Sequence, residues 1–249
     1  MTSRDEEITR DFLTLAGLSL LQHKKGYRFS LEPILLADFA MKEGVRGTLL
    51  DGGAGCGVLS LILAKLCEDV KKIVAVEIQE GLARLAEKNV SANNQSGKIE
   101  IITEDLLNLG PDFRGVFDSF ISNPPFRPLS AGKISPSREK AVAKHEYFLS
   151  PISLGETIGT LLKPRGTFFL VYPARRFLYL SRKLMECGLK VNVARFVHPH
   201  PRSEGELVLI KGMRGRQKET RFLTPLNLYG KGGDSSREIQ EIFREKGRK

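Results

Sequence analysis

The stretch "LLDGGAGCGVLSL", Leu49 to Leu61, decides how the rest of the chain is read. Two leucines lead into an acid, Asp51. Glycines follow at 52, 53, 55 and 57, and an apolar run, "VLSLILAKL", comes next. The pattern predicts a buried strand, a tight turn and a helix. Glycine lets the chain turn sharply and lets a ligand lie against bare backbone.

Two ligands compete for such a turn. A dinucleotide fold places its glycines as G-x-G-x-x-G, with a pyrophosphate on the helix N-terminus. Here the spacing is Gly53-x-Gly55-x-Gly57, and a carboxylate stands immediately before it. A pyrophosphate would sit poorly beside Asp51, which disfavours a nicotinamide oxidoreductase. A cationic ligand would sit well there. S-adenosylmethionine carries a sulfonium and an ammonium, and it suits the acid.

Outward from the turn, strands and helices alternate. "TLLD", "KIVAVE", "KIEIIT", "FDSFIS", "TFFLVY", "LKVNVARFV" and "ELVLIKG" read as strands. "QEGLARLAEKNVSANN", "SLGETIGTLLKPRG" and "ARRFLYLSRKLMECG" read as helices, the second stopped by Pro164 and Gly166. Such alternation predicts a mostly parallel sheet covered on both faces. The last two strands are joined only by "HPHPRSEG" and should pair antiparallel. His198 and His200 lie between prolines there and read as turn residues. Before the regular pattern come a charged helix candidate near residue 5 and the apolar helix "EPILLADFAM", with Pro33 in its first turn.

The strand ends collect acids. Glu77 closes the second strand, where a carboxylate can accept both ribose hydroxyls. Asp105 follows the third and can bond an adenine amino group. Ile78 and Leu106, their neighbours, are counted in the same cofactor set, as is Asn123 after the fourth strand. Ordinary turn and cap residues would be the plain alternative.

The fourth strand delivers "NPPF", Asn123 to Phe126. Proline fixes φ and removes a donor, and it holds the preceding residue extended. Asn123 and the Pro124 carbonyl thus form a rigid pair of acceptors, stiffened by Pro125, and Phe126 offers a flat ring. A planar amine would be gripped through its two N–H groups while its face stacks. Positioning and electrostatics would then supply the rate.

These residues resemble the class I S-adenosylmethionine-dependent methyltransferases that carry an (N/D/S)-P-P-(Y/F/W) motif. "LQHKKGYRFSLEPILLADFA" and "FVHPHPRSEGELVLIKG" are further similar to the bacterial tRNA1(Val) (adenine-37-N6)-methyltransferase family. The resemblance implies an α/β, Rossmann-like fold: a mostly parallel seven-stranded sheet, helices on both faces and an antiparallel final strand. It implies that Asp51, Gly53, Gly55 and Gly57 line the methionine end, that Glu77 holds the ribose and Asp105 the adenine. Asn123, Pro124 and Phe126 would hold the base, and Tyr27, Phe29 and Ser30 would cover the cofactor. Phe126 stands where adenine-N6 enzymes often have Tyr, and Glu32 stands where Asp is expected.

The chain has 249 residues, 41% of them hydrophobic, and a net charge of +10. A soluble cytoplasmic enzyme is expected, with no membrane span, no metal site and no disulfide framework among its three cysteines. The excess charge points to RNA. "RPLSAGKISPSREKAVAKHEYF" reads as a basic phosphate-binding loop, with Arg127, Lys133, Arg138, Lys144 and His145 as substrate contacts. "KGMRGRQKETR" is a second basic strip. Residues 1–46 should cover the cofactor and substrate, 47–212 form the catalytic core, and 213–249 form a basic extension of one domain; a monomer is expected. The expected activity is methylation of an adenine N6 amine in RNA, tRNA first. Guanine N2 in ribosomal RNA, a protein glutamine amide, or RNA binding without turnover are the alternatives.

Overall fold

The computed structural model describes residues 8–24, 30–124, 150–215, 219–230 and 232–244. Seven long strands form the body of one sheet. They are β3 (Gly47–Gly52), β4 (Val70–Glu77), β5 (Ile99–Thr103), β6 (Phe117–Ser122), β7 (Leu162–Pro173), β8 (Leu189–His198) and β9 (Leu207–Arg214). Two short strands, β10 (Arg221–Phe222) and β11 (Leu226–Asn227), extend it by pairing parallel to β8. The order is β10-β8-β9-β7-β6-β3-β4-β5.

Pairs β6–β7, β6–β3, β3–β4 and β4–β5 are parallel. β9 slots between β7 and β8 antiparallel to both, as its short helix-free connection from β8 requires. Central strands such as Phe120–Ser122 and Leu49–Gly52 are buried on both faces, as parallel strands under two helical layers must be.

One layer contains α1 (Glu32–Lys42), α2 (Val58–Leu66) and α3 (Glu80–Ala92), packed on Leu49, Ile73, Ile121, Phe169 and Val171. The other contains α4 (Pro151–Leu161) and α5 (Phe177–Glu186), packed on Leu50, Phe120, Phe168, Leu170 and Tyr172. The alternation along β6 and β7 divides their side chains between two cores. Gly212 on β9 marks the tightest approach between elements. A Cβ there would lie 1.9 Å from the Phe168 ring and 2.6 Å from the Lys190 carbonyl oxygen. Gly212→Ala is expected to cost about 3 kcal/mol, read as a lower urea midpoint with an unchanged slope.

Two local expectations are corrected. The charged segment near the N-terminus is not helical where it is described. β1 (Ile8–Leu13) pairs with β2 (Leu18–His23) in an antiparallel hairpin turned at Gly17. Leu18 and Leu20 are buried at period two, and Gln22 donates to Asp11 across the pair at 2.6 Å, so cross-strand pairing outweighs the charge pattern. The helix read through Gly166 ends at Leu161, and β7 begins at once. The β6–β7 register jumps between Phe117–Leu162 and Ser119–Thr167, so "KPRG" is a bulge in a strand.

The tail packs against the body of the fold. α6 (Arg237–Phe243) buries Ile239 and Ile242 in the same core as β8 and β11. Arg195 on β8 donates two bonds of 2.7 Å to Glu238. Those bonds hold the Glu238 carboxyl below its usual range.

Candidate functional site

Four adjacent parallel strands end at one edge, and each brings one polar side chain. In spatial order these are Asn123 just past β6, Asp51 in β3, Glu77 at the end of β4, and Asp105 two residues past β5. β3 has β6 on one side and β4 on the other, so the chain order reverses there. Ligands of open α/β sheets bind at such a switch point, outside the carboxyl ends of the strands.

The loop after β3 is built for close approach. Gly53, Gly55 and Gly57 have φ of 76°, 59° and 84°, a region that side-chain-bearing residues rarely enter. This alternation explains the G-x-G-x-G spacing. The loop folds onto β4, with the Gly53 and Ala54 N–H groups donating to the Val76 carbonyl at 2.9 and 3.0 Å. The Gly55 N–H donates to Glu77 Oε2 at 2.8 Å, and the Gln79 N–H to Oε1 at 2.9 Å. Both carboxylate oxygens of Glu77 are thereby oriented before any ligand arrives.

Asp51 is buried and accepts a 2.6 Å bond from the Ser60 hydroxyl on α2. Loss of hydration raises its pKa to about 7, helped by the charge of Glu77 and opposed by Ser60. It lines a small, partly open recess together with Pro33, Gly53, Ala54, Cys56, Val58, Leu59 and Asn123. The side-chain oxygen of Asn123 is buried and has no hydrogen-bond partner among the described residues. A buried acceptor left open in a native fold calls for a donor from elsewhere.

The sequence reading missed Asn89. Its side chain is fully buried on α3 and makes three bonds. It accepts from the Leu21 N–H at 2.7 Å, and it donates to the Leu21 carbonyl at 3.0 Å and the Cys56 carbonyl at 2.9 Å. Asn93, one turn on, grips Ser19 in the same donor-and-acceptor manner. The two asparagines act as a strand edge for β2, but only Asn89 also holds the glycine loop. Asn89→Ala is therefore expected to lower the thermal midpoint and to weaken cofactor binding about tenfold, or about 1.4 kcal/mol. Asn93→Ala should lower the midpoint alone. Calorimetric titration beside thermal melts separates the two.

The other expected residues are placed unevenly. Ile78 is 40% exposed at the rim beside Glu77, as an apolar contact for a planar ring would be. Leu106 is buried, packed toward Gly52, while its neighbour Leu107 is the exposed one. Asp105 caps a short helical turn, accepting from the Leu107 N–H at 3.0 Å, so it does have the cap role that was the plain alternative. Ser30 is exposed and donates to Glu32 at the start of α1. Pro124 is buried behind Asn123. Tyr27, Phe29, Pro125, Phe126, Arg127, Lys133, Arg138, Lys144 and His145 lie outside the described residues. His198 is the last residue of β8 rather than part of the turn, and its Nδ1 lies 2.7 Å from the Ser203 carbonyl oxygen across that turn. Among the described residues no cluster of His, Cys, Asp and Glu is arranged to hold a metal ion. No described helix is long and apolar enough to cross a membrane.

The family model described as "Methyltransferase small domain" matches residues 32–144. A tRNA1(Val) (adenine(37)-N6)-methyltransferase of Phocaeicola vulgatus is 30% identical over 187 residues, covering 69% of this chain and 76% of the relative. Its counterpart in Bacteroides thetaiotaomicron is 31% identical, covering 65% and 66%. Among solved structures, a predicted O-methyltransferase of Agrobacterium tumefaciens superposes with a TM-score of 0.63 at 16% identity, over 87% of this chain and 99% of that one. Methanocaldococcus jannaschii Trm5 in complex with adenosine gives 0.59 at 17% identity, over 87% and 59%. The structural likenesses establish a Rossmann-like methyltransferase fold.

Proposed function

This chain belongs to the tRNA1(Val) (adenine(37)-N6)-methyltransferase family, and from that membership we propose that it methylates the N6 amine of an adenine in tRNA. It is a methyltransferase dependent on S-adenosylmethionine. The single observation that carries the assignment of roles is the buried oxygen of Asn123, a residue lining the Asp51 recess, which has no hydrogen-bond partner among the described residues.

The residues present fit the cofactor. Asp51 and the bare backbone of Gly53 and Gly55 would hold its cationic methionine end. Glu77, oriented by two backbone N–H groups, would accept the ribose hydroxyls. Ile78 and Asp105 would meet the adenine ring, with Leu106 supporting the floor beneath. When bound, S-adenosylmethionine supplies a methyl group activated by its sulfonium.

Asn123 then has a defined task. Its oxygen accepts one N–H of the target amine, and the Pro124 carbonyl accepts the other. Holding both N–H groups orients the nitrogen lone pair toward the methyl donor. The acceptors also stabilise the positive charge that grows on nitrogen as it is methylated. No strong base is needed beforehand, because the amine becomes acidic as it reacts. Phe126 stacks on the base, and the basic residues from Arg127 to His145 hold the RNA backbone. The hairpin and α6 fold with the sheet as one domain, supported by their shared core with the sheet.

Nucleoside mass spectrometry of tRNA treated with the protein and cofactor tests the reading. New N6-methyladenosine is expected. N2-methylguanosine, or methyl transfer to a glutamine amide with none to RNA, would overturn it.

A further inference from the structure

The two strands that carry the halves of the site stop pairing just before they reach it. β3 and β6 pair through Leu49–Ser119, Leu50–Phe120 and Asp51–Ile121, and their ladder ends there. Each runs one residue further against its other neighbour, Gly52 with Val76 of β4 and Ser122 with Leu170 of β7. Gly52 and Ser122 would be the next pair in register. Where the backbone pairing stops, the Ser122 hydroxyl takes over and donates to the Gly52 carbonyl oxygen at 2.6 Å. Ser122 is fully buried, so the bond is shielded from solvent.

Gly52 is also confined by packing. A Cβ there would lie 2.9 Å from Cδ2 of Leu106 and 2.9 Å from Cζ of Phe120. Phe120 and Ser122, two residues apart on β6, lie on one face of that strand. The ring limits how closely Gly52 approaches β6, and the hydroxyl keeps it from moving away. The residues that follow, Gly53 and Asn123, both line the recess.

We propose that Ser122 is a positioning residue for the methyl transfer. Through its bond to Gly52 it sets the separation between the glycine loop, which holds the methyl donor, and the Asn123–Pro124 acceptors, which hold the target amine. The proposal rests on the reading of the chain as an adenine N6-methyltransferase. The two reacting groups are carried by different strands, and reaction requires them about 3–3.5 Å apart. A misplacement of about 1 Å can cost about a hundredfold in rate. The one-residue step from Ser122 to Asn123, and from Gly52 to Gly53, leaves little chain in which such an error could be absorbed.

The test uses the full chain, S-adenosylmethionine and a tRNA substrate. If wild-type protein transfers no methyl to any RNA, the functional reading fails, and this proposal with it. Given activity, Ser122→Ala should lower the single-turnover rate at saturating RNA and cofactor by about ten- to a hundredfold. The calorimetric Kd for the cofactor and the KM for RNA should stay within about twofold. Asn93→Ala, which lowers the thermal midpoint alone, should keep the wild-type rate and so controls for lost stability. Ser122→Thr keeps the hydroxyl and should recover most of the rate, whereas Ser122→Val, of the same shape without it, should not. In an Asn123→Ala background the amine has already lost its acceptor, and Ser122→Ala should cost no more than about twofold. A wild-type rate in Ser122→Ala, equal rates in the threonine and valine variants, or an undiminished effect in the Asn123→Ala background each overturn the positioning role and leave the functional reading intact.

Discussion

Asn123→Ala is expected to lower kcat/KM for RNA methylation by about a thousandfold while leaving cofactor affinity within about twofold. The size follows from where the oxygen sits. It is buried, on a residue that lines the recess, and has no hydrogen-bond partner among the described residues, so it is desolvated in advance and needs no reorganisation as charge develops. Removing one such preorganised group commonly costs two to three orders of magnitude, about 3–4 kcal/mol. Asn123→Asp keeps an acceptor but adds a charge, and partial activity should survive. Single-turnover rates at saturating cofactor, together with calorimetric Kd values, check both variants. Wild-type rates for Asn123→Ala would remove Asn123 from the mechanism.

The second large effect is on pH. Burial raises the Asp51 pKa from 3.8 to about 7. Between those values the folded protein keeps a proton that the unfolded chain has released. The contribution to stability is fully present below about pH 4 and is lost as pH rises through about 7. The slope reaches at most about 1.4 kcal/mol per pH unit. Asp51→Asn, which has nearly the same shape and no charge, should flatten that part of the profile.

A cationic ligand reverses the preference, because its charge favours the carboxylate and expels the proton. Cofactor binding should therefore tighten about tenfold per pH unit between pH 5 and 7 and level off above. About one proton should be released per site near pH 6. Titrations in two buffers of different ionisation heat measure that proton directly. Asp51→Asn should bind more weakly at pH 8 and lose the pH dependence. A wild-type Kd that stays constant from pH 5 to 8 would mean that Asp51 does not face the cationic end of the ligand.

The part of this site legible in the sequence is the part made by single strand ends. Asp51, Glu77, Asp105 and Asn123 could be assigned together because each closes a strand of a parallel sheet, and parallel strands place their carboxyl ends on one edge. The glycine spacing was legible for a similar reason. Positive φ at alternate positions is a local backbone demand, and only glycine meets it without strain. The misread hairpin shows where local pattern ends. "ITRDFL" carries charges of both signs and no clear period, and its state is set by pairing with Leu18–His23 and by the grip of α3 on the far edge of β2.

The sequence by itself determined the mostly parallel sheet and the chemical types gathered at its edge, because each depends on periodicity or on a conformation that one residue must adopt. Only the tertiary structure decided that Asn89 ties the N-terminal hairpin to the glycine loop, that Asp51 loses its hydration, and that the Asn123 oxygen is left without a partner among the described residues. Those are properties of contact and solvent exclusion. They depend on which segments meet after the chain has closed, and no local run of residues encodes them.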